Sequence, residues 1–184
     1  AITLAAHHAA RATHVDAATV LDTIRDDTSD RELLAALDRI EHGLVCDLPV
    51  TAALSLEHGV TGYIHHTVPA SLYCWLHSPA DPYVSLTDVI GAGGDSDTTA
   101  AIVGALAGAT VGASELPPAW LDGVVDWPRS INWLRRLAGR LASRFVDGED
   151  VGPEALFWPA VPLRNAVFLT IALGHALRRA LPPY

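Results

Sequence analysis

A pair of acidic side chains and a hydroxyl follow two glycines near the middle of the chain. Gly93 and Gly94 precede Asp95 and Asp97, and Thr98 comes next. Glycine adopts tight or left-handed backbone and allows a ligand to approach the chain closely. Two neighbouring carboxylates repel each other unless a cation or a proton lies between them. Because hard oxygen ligands favour Mg²⁺, Ca²⁺ or Mn²⁺ over Zn²⁺, the sequence predicts a divalent-metal site at Asp95, Asp97 and Thr98.

An ordinary helix N-cap is the alternative explanation of the same residues. Aspartate and serine are the types that helices prefer at this position, and residues 95–97 are Asp-Ser-Asp. The positive end of a helix dipole stabilises carboxylates but opposes a bound cation. A metal here therefore needs two or three charged ligands, and the second carboxylate together with the two preceding glycines favours the metal interpretation.

The helix expected after this turn contains three regularly spaced glycines. Gly104, Gly108 and Gly112 repeat every fourth residue, and each glycine inside a helix costs about 1 kcal/mol relative to alanine. Because the sequence accepts this cost three times, we expect the glycines to allow close backbone contact with neighbouring helices. That contact would hold the metal-bearing turn on rigid support.

Helical spacing of apolar residues recurs along almost the whole chain, and strand-like alternation is nearly absent. Ser29 and Glu32 form the pattern of a capping box for a helix that Gly43 is expected to end. A short amphipathic helix is predicted from Val15, Val20, Leu21 and Ile24, and further helices are predicted at residues 69–76, 82–90, 131–145 and 164–181. The last is apolar nearly all round over residues 166–174, which predicts a buried helix. With room for one domain and no internal repeat, the chain is predicted to be a single all-α unit over residues 1–184.

Composition excludes two broad classes of protein. Hydrophobic residues are 50% of the 184 and charged residues 18%, which excludes an intrinsically disordered chain. The formal charge of −9 lacks the positive surface that a nucleic-acid partner requires. Arg136, Arg140 and Arg144 form a basic row on one predicted helix, and the pattern favours a solvated face over a phosphate grip.

The cysteines and the longest low-charge stretch suggest where the protein works. Cys46 and Cys74 do not suggest a disulfide scaffold, and we interpret both as small buried residues of a cytoplasmic protein. The stretch at residues 98–114 is shorter than the roughly 20 residues of a membrane span, so no membrane partner is expected. The histidines lack the spacing of a zinc site, and no serine lies in a Gly-x-Ser-x-Gly turn.

Four segments resemble one known family. Residues 93–109 closely resemble the second metal motif of the ADP-ribosylglycohydrolases, a family that includes the dinitrogenase-reductase-activating glycohydrolases and the J1 crystallins. Residues 13–16 (Thr-His-Val-Asp) resemble its Thr-His element, and residues 61–63 (Thr-Gly-Tyr) its Gly-Tyr element. Residues 118–121 match the stretch that follows the glycine helix.

The resemblance implies an all-α orthogonal multi-helix bundle and an enzyme with two divalent ions, Mg²⁺ or Mn²⁺. Such an enzyme hydrolyses the N- or O-glycosidic bond between ADP-ribose and a modified protein side chain or small acceptor. The metals would orient the ribose hydroxyls and polarise a water.

The resemblance also implies roles for particular residues. It implies that the metal ligands are Asp95, Asp97 and Thr98, and that the substrate-binding residues are His14, Tyr63 and Gly94. A histidine packed between helices remains the alternative for His14. For Tyr63 the pattern favours a core position over a stacking platform.

One departure limits the resemblance, since the chain matches the C-terminal half of the family pattern only. In the family, a Ser/Thr-Asp-Asp-Thr motif and a working glutamate lie far upstream. Residues 26–28 (Asp-Asp-Thr) imitate that motif, but they follow the Thr-His element instead of preceding it. The general acid or base is therefore expected in an N-terminal half outside this chain, and the isolated chain is expected to be inactive.

Three explanations of this departure stay open. The chain is part of a protein that was cleaved or divided, one half of a split enzyme, or a degenerate relative that binds without catalysis. The absence of methionine favours the first. The partners expected are an ADP-ribosylated protein or small molecule and the N-terminal half or a partner chain. A non-catalytic, crystallin-like member of the family is the alternative function.

Overall fold

The computed structural model describes residues 1–11 and 14–180, and these residues form ten α-helices with no β-strand. The helices are α1 Ile2–Arg11, α2 Ala17–Asp26, α3 Arg31–Val45, α4 Val50–Leu54, α5 Ile64–His77, α6 Pro82–Gly91, α7 Ser96–Val111, α8 Pro118–Asp122, α9 Ile131–Phe145 and α10 Ala160–Ala180. The prediction of an all-α protein is confirmed. Thr13 and the predicted helix end at Leu181 lie outside the described residues.

The helices belong to two compact units. Ala1–Leu116 contains α1 to α7, and Pro117–Tyr184 contains α8 to α10. The organisation of residues 1–184 as one unit stays a prediction.

Helix α5 is the centre of the first unit and packs against α1, α3, α4, α6 and α7. Its central residues are buried on every side, as expected for a helix with little polar surface; these residues are Thr67, Pro69, Ala70, Ser71, Leu72, Tyr73, Cys74, Trp75 and Leu76. The indole N–H of Trp75 donates to Thr110 Oγ1 of α7 at 2.9 Å. This bond satisfies a buried donor and ties the core helix to the helix that follows the glycine turn.

Three predicted helix ends were wrong. Helix α5 begins at Ile64, so Pro69 lies inside it and not in its first turn. The N-cap of α3 is Asp30 and not Ser29, because the Asp30 carboxylate accepts the N–H groups of Glu32 and Leu33. Helix α3 continues past Gly43 to Val45.

Gly43 serves helix packing instead of helix termination. A Cβ at this position would lie 2.5 Å from Ala53 Cβ and 2.8 Å from the Tyr73 ring. Only a residue without a side chain allows α3, α4 and α5 to approach this closely.

The glycines of α7 do not make the backbone contacts that their spacing predicted. A Cβ on Gly104 would meet only the end of Leu86 at 3.7 Å, and one on Gly108 would meet nothing within 4 Å. Gly112 is the C-cap residue, with φ at +79°. Helix α7 is buried on one side only, through Thr99, Val103, Leu106 and Ala107.

In the second unit, the basic row of α9 is paired with the loop that follows it. Arg136 Nε and Arg140 Nε lie 2.6 and 2.8 Å from the Glu154 carboxylate, and Arg144 pairs with Asp150. The indole N–H of Trp133 donates to the Ala155 carbonyl at 2.9 Å. The row therefore fastens residues 150–155 to the helix, and all three arginines pair with the two carboxylates of this segment rather than remaining unpaired as a phosphate site.

Helix α10 is exposed, so the prediction that it is buried was wrong. Its large apolar side chains are each more than half exposed and lie on all sides of the helix: Leu163, Val167, Phe168, Leu169, Ile171, Leu173 and Leu177. The sequence identified an apolar helix correctly, but the described part of the second unit supplies no element that covers it. By length and composition alone, α10 is also the one helix in the described ranges that could cross a membrane.

The two kinds of helical glycine predict opposite effects on stability. Gly108→Ala should raise the free energy of unfolding by about 0.5–1 kcal/mol, because alanine is the better helix former and meets open space. Gly43→Ala should lower it by about 1–3 kcal/mol through overpacking. Urea denaturation of both variants measures the difference. A loss of stability in Gly108→Ala would support the close helix contact that the spacing suggested.

The ion pairs between α9 and residues 150–155 predict that the stability of this segment depends on pH. The hydrogen bond from Arg136, aided by the charges of Arg136 and Arg140, lowers the pKa of Glu154 from its ordinary 4.5. A depressed folded-state pKa adds stability above the unfolded value, and this stability is lost as the pH falls through the folded-state pKa. The hydrogen-exchange protection of the amides in residues 150–155, expressed relative to the intrinsic exchange rate at each pH, should therefore fall below pH 4.5. Glu154→Gln should remove the acid dependence, whereas the exposed Glu149→Gln should keep it.

Candidate metal centre

The turn before α7 is held by a backbone bridge to the segment before α5. Val60 N–H donates to the Gly93 carbonyl at 3.0 Å, and Asp95 N–H donates to the Val60 carbonyl at 2.6 Å. Gly94 has φ at +82°, and a Cβ on it would overlap the Val60 carbonyl group. A side chain at this position is therefore excluded twice, by the left-handed backbone and by the close approach of Val60.

Asp95 occupies the N-cap position of α7 without using its carboxylate as a cap. The caps of α2, α3 and α6, which are Asp16, Asp30 and Asp81, each accept a backbone N–H through the side chain. The cap contacts of Asp95 run instead through its backbone carbonyl, which accepts the hydroxyl of Thr99 at 2.6 Å. The N-cap alternative therefore does not account for the Asp95 carboxylate.

The Asp95 and Asp97 carboxyl groups lie together at the start of α7. The hydrogen bond between them, followed by the Thr98 N–H that donates to Asp97 Oδ1 at 3.0 Å, lowers the pKa of Asp97. Asp95 is half-buried, and Asp97 and Thr98 are exposed. Within residues 1–11 and 14–180, neither carboxylate forms an ion pair with a basic side chain. The side-chain oxygens are thus grouped and open to solvent.

The Gly-Tyr segment lies directly against these carboxylates. A Cβ on Gly62 would stand 3.2 Å from Asp95 Oδ2, so the glycine leaves room for the carboxylate. The next residue, Tyr63, is 50% exposed, and the core position favoured for it was wrong. The structure therefore brings together two segments that are more than thirty residues apart in the chain.

Tyr63 is held in place by residues that the sequence analysis missed. Its hydroxyl donates to Glu32 Oε2 at 3.0 Å, and its ring stacks on His65 at 5.1 Å. The hydrogen bond to Glu32 raises the pKa of Tyr63, so the phenol stays protonated at neutral pH. Glu32 was assigned to a capping box, and nothing in its spacing to Tyr63 could show that α3 carries it to this edge.

His14 lies in the connection between α1 and α2 and is exposed. The packed interhelical alternative was therefore wrong. Its electrostatic interaction is with Asp16, whose pKa falls chiefly because of the hydrogen bond from Thr19 and to a lesser extent because of His14. In the part of the chain that the structure describes, no hydrogen bond or ion pair joins His14 to Asp95, Asp97 or Thr98.

The two cysteines are in different environments. Cys74 is buried, and burial raises the pKa of its thiol to about 12. Cys46 is exposed, so the interpretation of both as buried residues was right for Cys74 only.

The oxygen donors fit a hard divalent cation but do not complete its coordination. Mg²⁺ and Mn²⁺ take carboxylate and hydroxyl oxygens, which Asp95, Asp97 and Thr98 provide side by side. Among the described residues, however, no group of three or more His, Cys, Asp and Glu could hold a metal ion. The turn therefore groups oxygen ligands without completing a coordination shell among the described residues.

Comparison with known families identifies the class of protein. The ADP-ribosylglycohydrolase family model matches residues 1–150, and the chain belongs to this family. The all-α fold is that of the family, and its general chemistry is ADP-ribosyl glycoside hydrolysis. No curated protein and no solved structure gives a significant match. The match ends before α10.

Substitution of Gly93 and of Gly94 can measure separately the cost of a positive φ and the cost of a clash with Val60. Gly93 and Gly94 both have positive φ, but a Cβ on Gly93 would meet nothing within 4 Å. Gly93→Ala should cost about 1–2 kcal/mol from φ alone, and Gly94→Ala should cost about 1–3 kcal/mol more from the clash with Val60. Thermal unfolding measures both values. Equal losses would mean that the Val60 bridge does not restrain the turn.

Proposed function

We propose that this chain contributes to a divalent-metal-dependent hydrolase, which cleaves the glycosidic bond between ADP-ribose and a modified protein side chain or small acceptor. The observation that carries the proposal is the position of the Asp95 and Asp97 carboxyl groups. They lie together on a turn fixed by the Val60 bridge, and the Asp95 carboxylate does not cap the helix.

In this proposal Asp95, Asp97 and Thr98 hold Mg²⁺ or Mn²⁺ as part of a binuclear site. A metal of this kind lowers the pKa of a bound water and orients the substrate. The half-buried Asp95 carboxylate is restrained between the bridge and Gly62, and the exposed Asp97 carboxylate faces solvent. The pair can therefore accept a cation with little rearrangement of the backbone.

The ADP-ribose group would bind beside the turn. Gly94 is exposed and presents backbone without a side chain, while the ring of Tyr63 is half exposed and fixed by Glu32 and His65. Aromatic rings offer a stacking surface for a nucleobase at low entropic cost. His14 is proposed as a further substrate-binding residue on the resemblance of its Thr-His element alone.

The remaining metal ligands and the general acid or base would come from outside the described residues. Two carboxylates and a hydroxyl leave much of the coordination of two cations unfilled. An N-terminal segment of the same protein or a partner chain would supply the rest, and the chain alone would then be inactive. With two free thiols, we propose a reducing cytoplasmic location.

A non-catalytic, crystallin-like member of the family is the second candidate. The incomplete donor set of the described residues favours it, because a protein that only binds needs no second ion. It predicts that the turn takes up one ion or none, whatever segment precedes it.

Metal binding and hydrolysis together test the proposal. In the intact protein, including any segment that precedes Ala1, Asp97→Asn should weaken Mn²⁺ binding at least about tenfold, since it removes a charged ligand and second-sphere changes alone cost 10–100-fold. Release of ADP-ribose from ADP-ribosyl-arginine and ADP-ribosyl-serine in the presence of Mg²⁺ should fall in parallel.

The matched control is Asp27→Asn, which removes the same charge from an exposed aspartate after α2 and should leave both properties unchanged. Mn²⁺ binding is measured from the electron paramagnetic resonance signal of the free ion. Binding and hydrolysis that are unaffected by Asp97→Asn would remove the metal assignment. Metal binding without hydrolysis of either substrate would support the non-catalytic alternative.

A further inference from the structure

The N-terminal end of α5 contacts the N-terminal end of α3 beside the metal turn. The Tyr63 hydroxyl donates to Glu32 Oε2 at 3.0 Å. His65 Nε2 lies 3.4 Å from Asp30 Oδ2, and His65 Nδ1 lies 3.8 Å from the same Glu32 oxygen. Two side chains from the start of α5 are therefore held by two carboxylates from the start of α3.

The ring of His65 supports the ring of Tyr63. The His65 side chain is only 17% exposed, and its ring stacks on Tyr63 with the centroids 5.1 Å apart and the planes 29° apart. Tyr63 itself remains half exposed. A mostly buried ring thus fixes the orientation of a ring whose remaining surface is open to a ligand.

The Glu32 carboxylate is committed to this contact. Among the described residues, its partners are the Tyr63 hydroxyl and the His65 ring, and it forms no ion pair with an arginine. No backbone N–H in the same part of the chain donates to it, and the N–H groups at the start of α3 are capped by Asp30 instead. The position of Tyr63, and not the capping of α3, is what the Glu32 side chain determines.

Fixing an exposed aromatic ring before a ligand arrives changes the affinity for that ligand. Ordering one rotatable side chain on binding costs about two- to tenfold in affinity, and a ring that is already ordered avoids this loss. Glu32 restrains Tyr63 at its hydroxyl and His65 restrains it at its ring. Both restraints are present in the protein without ligand.

We propose that Glu32 and His65 are positioning residues for the substrate, which set its affinity by holding Tyr63 in one orientation and do not touch it themselves. This inference rests on the proposed function, in which the ring of Tyr63 offers a stacking surface to the nucleobase of ADP-ribose. It adds the start of α3, which contributes no ligand to the metal centre, to the elements that determine substrate binding.

Binding of ADP-ribose to the intact protein, including any segment that precedes Ala1, tests the inference by isothermal titration calorimetry with Mg²⁺ present. Glu32→Ala and Tyr63→Phe should each raise Kd about two- to tenfold, because each removes the same hydrogen bond and frees the ring. The double variant should bind no more weakly than the weaker single variant, since Glu32 acts only through Tyr63. Both side chains are about half exposed, so the variants should fold.

Conservative variants separate positioning from a general structural effect. Glu32→Gln should bind within about twofold of the unmodified protein, because the amide oxygen still accepts the phenol hydroxyl. His65→Ala should weaken binding, whereas His65→Phe, which keeps a ring beside Tyr63, should retain it. The matched control is Asp38→Ala, which removes a carboxylate that is 74% exposed from the same helix and should leave Kd unchanged.

Unchanged ADP-ribose binding in Glu32→Ala would overturn the positioning role and leave the proposed function intact. Losses that add in the double variant would show that Glu32 acts on the ligand without Tyr63, and equal losses in Glu32→Gln and Glu32→Ala would show that its charge matters and not the hydrogen bond. Either result would overturn the inference. No binding of ADP-ribose by the unmodified protein would instead contradict the proposed function, and this inference with it.

Discussion

The backbone bridge between Val60 and Gly94 is the contact on which the candidate metal centre depends. In this bridge the Asp95 N–H donates to the Val60 carbonyl, so the chain enters α7 from a fixed direction. The Asp95 carboxylate then lies close to Gly62 and beside Asp97, and it accepts no backbone N–H of the helix as a cap. A short pairing of two loop segments thereby brings carboxylate oxygens together at a helix start, with no basic side chain paired to them among the described residues.

The buried helix α5 makes this bridge possible. Val60 and Gly62 lie just before α5, and Trp75 fastens the same helix to α7 near its far end. Both ends of α7 are thus positioned relative to α5, one by backbone bonds and one by the indole. Rigid support of this kind is what a metal site requires, and here it comes from the core, since Gly104 and Gly108 make no close contacts.

The helix dipole sets a condition on metal binding at the candidate metal centre. At the metal centre, carboxylates lie at a helix N-terminus, where the dipole stabilises their charge and lowers their affinity for a cation. The turn therefore needs further charged ligands to hold a metal.

The amino-acid sequence alone was enough to predict the helical class, the family and the local run of glycines and aspartates at residues 93–97. Periodicity shows an amphipathic helix such as α9 directly, and a motif of adjacent aspartates and glycines is local in the chain. Tertiary structure decided what no local pattern contains. Gly43 and Gly108 are the same residue type in helices, but only Gly43 meets Ala53 and Tyr73. Likewise, the packing of distant helices decides the surroundings of the Gly-Tyr segment. It leaves Tyr63 exposed, brings its hydroxyl to Glu32 and places Gly62 close to Asp95. The physical reason is that a residue's surroundings depend on elements far away in the chain, while helix propensity and capping depend on its neighbours in sequence.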